Sequence, residues 1–191
     1  MLALYGCSMI SGFPTTRHIP AGCITSHTII SDAPIVSVPQ AMREEGIEVK
    51  ACAAPGLNSE QVRTWFDEVP QWHDCPSIFW VGRNDYPTKC RDTVSIFKSM
   101  VNRVTGEWWI CAAPYQTGDE GRVCMFERCN RELRDFAGER FLDPLYAIGG
   151  ERVLPERYRL DRVHPTSEAN RLIARWLIAN TIGATGEALA A

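Results

Sequence analysis

Three side chains in this 191-residue chain have the types and order of a nucleophile, an acid and a base. Ser8 follows an apolar run over residues 2–6, which predicts a buried strand that ends in a sharp turn. A serine hydroxyl is a weak nucleophile until a base takes its proton, and imidazole, with a pKa of about 6.5, suits that step near neutral pH. His164 is the candidate base, and Asp161, three residues upstream, is placed to hold its ring in the correct tautomer. Together they indicate acyl transfer through a covalent intermediate.

Two further residues supply hydrogen-bond donors that this chemistry needs. Acyl transfer passes through a tetrahedral intermediate, and fixed donors must stabilise its oxyanion. The candidates are the backbone N–H groups of Ser8 and Gly56 and the side-chain amide of Asn84. Glycine suits position 56 because it takes unusual dihedral angles and lets the backbone approach closely.

Predicted strands and helices alternate along the chain and would bring these residues together. Short apolar runs predict strands over residues 2–6, 47–53, 77–82, 108–112 and 140–143. Apolar residues at helical spacing predict helices within residues 62–69, 94–104, 126–136 and 172–177. This alternation predicts an α/β fold in which helices cover both faces of a parallel sheet. Ligands bind at the carboxyl ends of the strands in such sheets, so we expect the site there.

Local signals indicate where some helices begin and end. Asn58 and Gln61 form a capping-box pattern, and Gly106 is a candidate helix stop. Pro165 and Glu168 suit the first turn of the last helix.

Three stretches are candidates for the walls of a substrate site. Residues 12–39 show little periodicity, and a loop of that length is uncommon in a compact domain unless it has a function. It follows the first predicted strand, so we expect it to lie over the carboxyl ends of the sheet. Residues 114–121 and 144–160 follow later strands at the same edge.

Composition excludes several classes of function. The chain has 20 basic and 23 acidic side chains, a net charge of −3, and no basic stripe that would bind nucleic acid. No apolar run is long enough to span a membrane, and no signal-type segment precedes the first strand. We therefore expect a soluble protein, cytoplasmic or released without a signal peptide. The length predicts one domain over residues 1–182 with a frayed tail over 183–191.

The cysteines predict neither disulfides nor a metal site. Eight of them are scattered through a chain that is long enough to have its own core, which favours free thiols. Cys124 and Cys129 form one close pair, and no histidine lies near them to complete a metal site. We expect the chemistry to need no cofactor.

Four short blocks follow one another along nearly the whole chain. They are Gly6-Cys7-Ser8, the segment 54–59 with Gly56, Gly82-Arg83-Asn84-Asp85, and Asp161-Arg162-Val163-His164-Pro165. They resemble the nucleophile, glycine, asparagine and histidine blocks of the SGNH hydrolases, also called the GDSL esterase/lipase family. The resemblance implies a flavodoxin-like three-layer α/β/α sandwich with a five-stranded parallel sheet and an ester-hydrolysing site. The chain departs from the family at Cys7, where the family usually has Asp.

The expected activity is that of a serine esterase acting through Ser8, His164 and Asp161. An acyl ester of a carbohydrate is the favoured substrate, since exposed aromatic rings stack on sugars. The candidate rings are Trp80, Tyr86, Tyr115, Tyr146 and Tyr158.

Other interpretations of the same residues stay open. Lysophospholipids, thioesters and aryl esters are alternative substrates, and the oligomeric state and a place in a larger assembly are undecided. A non-catalytic carbohydrate-binding or assembly module on the same fold is a further alternative. Cys7 as the nucleophile is disfavoured because Ser8 is better placed. The α/β-hydrolase fold is disfavoured because Ile10 occupies the second glycine position of its Gly-x-Ser-x-Gly turn.

Overall fold

Parallel strands form one sheet at the centre of the fold. The structure, a computed structural model, describes residues 1–7, 35–53, 56–80, 82–85, 90–114, 123–150, 153–160 and 164–183. The strands are β1 (Leu2–Gly6), β2 (Val49–Ala53), β3 (Ser77–Trp80), β4 (Trp108–Cys111) and β5 (Phe141–Leu142). They lie in the order β2-β1-β3-β4-β5, and each neighbouring pair is parallel. The expected five-stranded parallel sheet is confirmed.

Helices cover both faces of this sheet. They are α1 (Val38–Glu44), α2 (Ser59–Asp67), α3 (Cys90–Val101), α4 (Val123–Ala137) and α5 (Ser167–Asn180). The α1 helix packs on α5, whereas α2 packs on α3 and α3 packs on α4. Crossovers between parallel strands are right-handed. The connection from β1 to β2 runs one way across the sheet, and the later connections run the other way. Their helices therefore lie on opposite faces. The result is the expected flavodoxin-like three-layer sandwich.

Aromatic rings fill the layer between the sheet and α2. Tyr5 of β1 stacks on Phe79 of β3 with ring centroids 5.0 Å apart, and it meets Phe66 of α2 edge-on at 5.1 Å. All three side chains are fully buried. Aromatic side chains bury roughly 150–250 Å² each, so this cluster holds β1 firmly against β3. These are the two strands that lead to Ser8 and to Asn84.

The α1 helix begins inside the loop predicted over residues 12–39, so that prediction is wrong at its end. Ser37 caps the helix by accepting a hydrogen bond from Gln40 N at 3.2 Å, and Pro39 lies in the first turn. The helix has seven residues, too few to show a clear period in the sequence. The rest of the predicted loop lies outside the described residues.

One of the predicted helix ends is correct and another is wrong. Asn58 Oδ1 accepts from Gln61 N at 2.9 Å, and Gln61 Oε1 accepts from Asn58 N at 3.1 Å, so the capping box is confirmed. Gly106 stops no helix, because α3 ends at Val101. A Cβ atom at Gly106 would lie 2.8 Å from the carbonyl oxygen of Asp74. Glycine is needed there because two backbones approach closely.

Two findings on the described residues concern the cysteines and the helices. The free cysteines are Cys7, Cys52, Cys75, Cys111 and Cys129, as predicted for these positions. Within the described ranges, no helix has the length and apolar character to cross a bilayer.

Candidate active site

The carboxyl ends of β1, β2 and β3 lie level with one another. In the strand register, Gly6 pairs with Ala53 on one side and with Trp80 on the other. The helices that follow β1 and β3 lie on opposite faces of the sheet, and open α/β sheets bind ligands between two strand ends of this kind. Cys7 N donates to Trp80 O at 3.4 Å and extends this edge by one residue. Ser8 is next in sequence and lies outside the described residues.

Gly56 occupies the turn between β2 and α2. Its φ of +77° lies in the left-handed region, which favours glycine, as expected from the sequence. The residue is exposed, and no acceptor among the described residues pairs with its N–H. The turn is followed at once by Asn58, which caps α2.

Asn84 lies in the turn that follows β3. Gly82 has a φ of +103°, and Asp85 N donates to Gly82 O at 3.2 Å, which closes the turn. The Asn84 side chain donates one N–H to Leu57 O at 3.0 Å. Leu57 directly follows Gly56, so two of the predicted oxyanion donors, from different strand ends, are brought together. No acceptor among the described residues takes the second N–H of this amide.

Asp85 is a residue to which sequence reasoning assigned no role. Its Oδ1 accepts from Ser59 N, the first residue of α2, at 2.8 Å. Its Oδ2 accepts from the hydroxyl of Thr93 in α3. The available signal was a carboxylate next to the candidate Asn84, but its partner Ser59 lies 26 residues away in the sequence.

His164 lies at the end of a short antiparallel pairing. Leu160 N donates to His164 O at 2.8 Å, and Thr166 N donates to Tyr158 O at 2.8 Å. Thr166 then caps α5 by accepting from Ala169 N at 3.2 Å. Asp161 lies outside the described residues. The imidazole is half-buried.

Contacts between α1 and α5 place His164 at the same edge of the sheet. Val36, two residues before α1, donates its N–H to Ser167 Oγ at 3.0 Å and accepts from Asn170 Nδ2 at 2.8 Å. At the end of α1, Arg171 pairs with Glu44 at 3.0 Å and Arg175 pairs with Glu45 at 2.6 Å, so the two helices run in parallel. A crossover helix begins at the carboxyl edge, so α1 and therefore α5 begin there. His164 lies three residues before α5 and thus on this side of the sheet.

Buried side chains exclude two of the weighed roles. The Cys7 side chain is fully buried, and its Sγ lies 3.9 Å from Trp80 O, which makes it a core thiol. The Trp80 side chain is only 1% exposed and donates Nε1–H to Ala112 O at 2.9 Å. The prediction that Trp80 stacks on a sugar is therefore wrong. Tyr146 is 62% exposed and Tyr158 half-buried, and their contact with a sugar stays a prediction.

A half-buried carboxyl group lies at the far end of the same edge. Asp143 directly follows β5, and its Oδ1 accepts from Leu145 N at 3.2 Å. Burial raises the pKa of the Asp143 carboxyl, although the bond from Leu145 and the charge of Arg134 act in the opposite direction. Burial also raises the pKa of the neighbouring Cys111 thiol well above its ordinary value, so this thiol stays protonated. Three strands separate β5 from β2, so these groups lie away from Gly56.

Comparison with known proteins gives matches only among solved structures. No protein-family model and no curated protein sequence matches the chain. A member of the lipolytic protein G-D-S-L family from Veillonella parvula has a TM-score of 0.66 and 14% identity, with 93% of this chain and 95% of that chain covered. The psychrotrophic esterase EstA from Pseudoalteromonas, in a structure inhibited by monoethylphosphonate, has a TM-score of 0.67 and 10% identity, with 94% of each chain covered.

A third similar structure is the C-terminal catalytic domain of peptidoglycan O-acetyltransferase A from Streptococcus pneumoniae, solved with a methylsulfonyl adduct. It has a TM-score of 0.61 and 12% identity, and the match covers 97% of this chain and 94% of that domain. The chain therefore has the fold of the G-D-S-L lipolytic proteins over nearly its whole length. At these identities the likeness concerns the fold alone. The resemblance expected from the four sequence blocks is therefore confirmed for the fold.

Proposed function

We propose that this protein is a serine hydrolase of carboxylic esters. Ser8 is the nucleophile, His164 the general base, and Asp161 the acid that orients the imidazole. The backbone N–H groups of Ser8 and Gly56 and the Asn84 amide form the oxyanion hole. The likeness in fold to an esterase and to a lipolytic G-D-S-L protein over more than nine-tenths of both chains supports this assignment.

One observation carries the proposal: the Asn84 amide lies against Leu57, beside Gly56, at the edge where β1 ends. The Nδ2 to Leu57 O distance is 3.0 Å. An oxyanion hole needs donors that converge from separate backbone segments on one point, and fixed donors of this kind are often the largest catalytic contribution. A turn asparagine would normally bond to its own backbone two residues on, whereas Asn84 reaches a different loop.

The reaction follows from these roles. Ser8 Oγ attacks the acyl carbon while His164 takes the hydroxyl proton, and the carbonyl oxygen becomes an oxyanion held by the three donors. Collapse of this intermediate breaks the ester bond, and the proton on His164 passes to the leaving alkoxide. Water then attacks the acyl-enzyme, and His164 again acts as base by taking a proton from it. Collapse of this second intermediate releases the carboxylic acid and returns the proton from His164 to Ser8. Asp161 stabilises the imidazolium in both halves.

Acetyl or other short acyl esters of carbohydrates are the proposed substrates. The likeness to the catalytic domain of a peptidoglycan O-acetyltransferase favours an acylated sugar. The exposed ring of Tyr146, in the segment expected to form a substrate wall, is available for stacking on a sugar. Transfer of the acyl group to a sugar hydroxyl instead of water is a second candidate, because both acceptors react with the same acyl-enzyme.

A panel of p-nitrophenyl esters from acetyl to dodecanoyl, followed by acetylated polysaccharides, tests the proposal. We expect the highest kcat/KM at acetyl or propionyl and release of acetate from the polysaccharide. Ser8→Ala should lose at least ~10³-fold in kcat, whereas Cys7→Ser, one residue away, should retain most activity. Wild-type turnover in Ser8→Ala would contradict the proposed nucleophile, and a preference for dodecanoyl esters would contradict the proposed substrate.

A further inference from the structure

The Asp85 carboxylate links two helices that flank the candidate site. Its Oδ1 accepts from the backbone N–H of Ser59 at 2.8 Å, at the first residue of α2. Its Oδ2 accepts from the Thr93 hydroxyl in α3. Both oxygens are thus used, and the side chain is half-buried. A carboxylate at the beginning of a helix also interacts favourably with the partial positive charge there.

Two hydrogen bonds run side by side between the turn before α2 that contains Gly56 (the glycine turn) and the turn after β3 that contains Asn84 (the asparagine turn). Asn84 Nδ2 donates to Leu57 O at 3.0 Å, and Ser59 N donates to Asp85 Oδ1 at 2.8 Å. The consecutive residues Asn84 and Asp85 therefore bind Leu57 and Ser59, which are two positions apart in the sequence. One such bond would leave the two turns free to pivot about it, whereas two bonds fix both the distance and the angle between them.

The asparagine turn is also seated on α3. A Cβ at Gly82 would lie 3.5 Å from Thr93 Cγ2, so the methyl group of Thr93 packs against the start of the turn while its hydroxyl holds Asp85 at the end. Thr93 is almost fully buried. The position of the turn is thus set by Asp85 from both sides, through α2 and through α3.

We infer that Asp85 is a positioning residue that sets the separation between the Gly56 N–H and the Asn84 amide. This inference rests on the proposed function, in which both groups donate to the oxyanion. Donors of an oxyanion hole act at distances of about 2.7–3.1 Å. A misplacement of about 1 Å can cost on the order of 10²-fold in rate. Asp85 itself does not contact the substrate and acts through Asn84.

A purely structural role makes a different prediction. If Asp85 only caps α2, its loss lowers stability and leaves kcat per folded molecule unchanged. If it positions Asn84, its loss also lowers kcat, with KM nearly constant because the oxyanion exists only in the transition state. The effect must also disappear once Asn84 can no longer donate.

The experiment is a double-mutant cycle with Asp85→Ala and Asn84→Ala, measured as kcat and KM on p-nitrophenyl acetate. Asp85→Ala alone should lower kcat by about 10- to 100-fold, and in the Asn84→Ala background it should change kcat by less than about 2-fold. Gln61→Ala is the matched control, because Gln61 Oε1 accepts a hydrogen bond from Asn58 N at the beginning of the same helix. This variant loses that bond and should keep wild-type kcat.

Two milder variants keep the test decisive if Asp85→Ala does not fold. Asp85→Asn retains one acceptor for Ser59 N and should keep more activity than Asp85→Ala. Thr93→Val removes the donor to Oδ2 at nearly the same volume and should lower kcat with KM unchanged. Wild-type kcat in Thr93→Val and in the folded Asp85 variants would overturn the inference. So would a loss in kcat from an Asp85 substitution that is as large in the Asn84→Ala background as in the wild type. Failure of the proposed function is distinguished by Ser8→Ala, which would then retain turnover.

Discussion

Replacing Asn84 by alanine separates a role in turnover from a role in folding. One N–H of the amide donates to Leu57 O at 3.0 Å, and no acceptor among the described residues takes the other. We expect Asn84→Ala to lower kcat by about 10²- to 10³-fold, the loss typical of removing one oxyanion donor. KM should change little, because this interaction strengthens only in the transition state.

The same substitution removes the bond to Leu57 and therefore has a second measurable effect. Loss of a neutral hydrogen bond of this kind lowers stability by about 0.5–1.5 kcal/mol. Asn180→Ala is the matched control: its amide donates to Trp176 O at 2.8 Å at the other end of α5, away from the carboxyl edge. Both variants lose one amide-to-carbonyl bond, but only Asn84→Ala should lose turnover.

The assay measures kcat, KM and the urea midpoint on the same preparation of each variant. Wild-type kcat in Asn84→Ala together with a lowered midpoint would refute the reasoning. Asn84 would then be a structural turn residue, and the oxyanion hole as assigned would lose its only side-chain donor.

Three further predictions concern the base, the half-buried carboxyl group of Asp143 and the contact between α1 and α5. His164→Ala should be as damaging as Ser8→Ala, and the double variant should be little worse, because the two act as one unit; kcat values that multiply fully would argue against it. Burial raises the pKa of the Asp143 carboxyl in the folded state, so the folded protein binds its proton more tightly than the unfolded chain does. The contribution of this carboxyl to the free energy of unfolding is therefore greatest below its ordinary pKa of 3.8 and is lost as the pH rises. Asp143→Asn, which can still accept from Leu145 N, should therefore unfold at a higher temperature than wild type at neutral pH, with the difference shrinking in acid; no difference at neutral pH would refute this. Asn170→Ala should lower stability by about 1–3 kcal/mol in urea unfolding, because Val36 O loses its buried donor, and an unchanged midpoint would show that water replaces the bond.

Local signals in the sequence predicted the elements that depend on neighbouring residues. The strand over residues 2–6 has the predicted bounds, because an apolar run that ends at a glycine has one simple interpretation. The capping box of α2 and the unusual dihedral of Gly56 follow equally from residues close in sequence. The α1 helix was missed because seven residues give too few apolar positions to establish a period.

Contacts between distant residues could not be predicted in the same way. The bond from Ser59 to Asp85 joins residues 26 apart, so neither residue alone indicates it. Burial of the Trp80 ring depends on the approach of Ala112, which directly follows the next strand and lies 32 residues away. The close packing at Gly106 likewise depends on the backbone of Asp74 and appears only once the turns are folded.

Site mapping with a fluorophosphonate probe tests the central claim most directly, because the probe forms a covalent bond only with an activated serine. Incubation of the whole protein followed by peptide mass spectrometry should place one phosphonyl group on Ser8. His164→Ala should lose this labelling, since without its base Ser8 is a weak nucleophile. Labelling at another serine, or unchanged labelling of Ser8 in His164→Ala, would contradict the account.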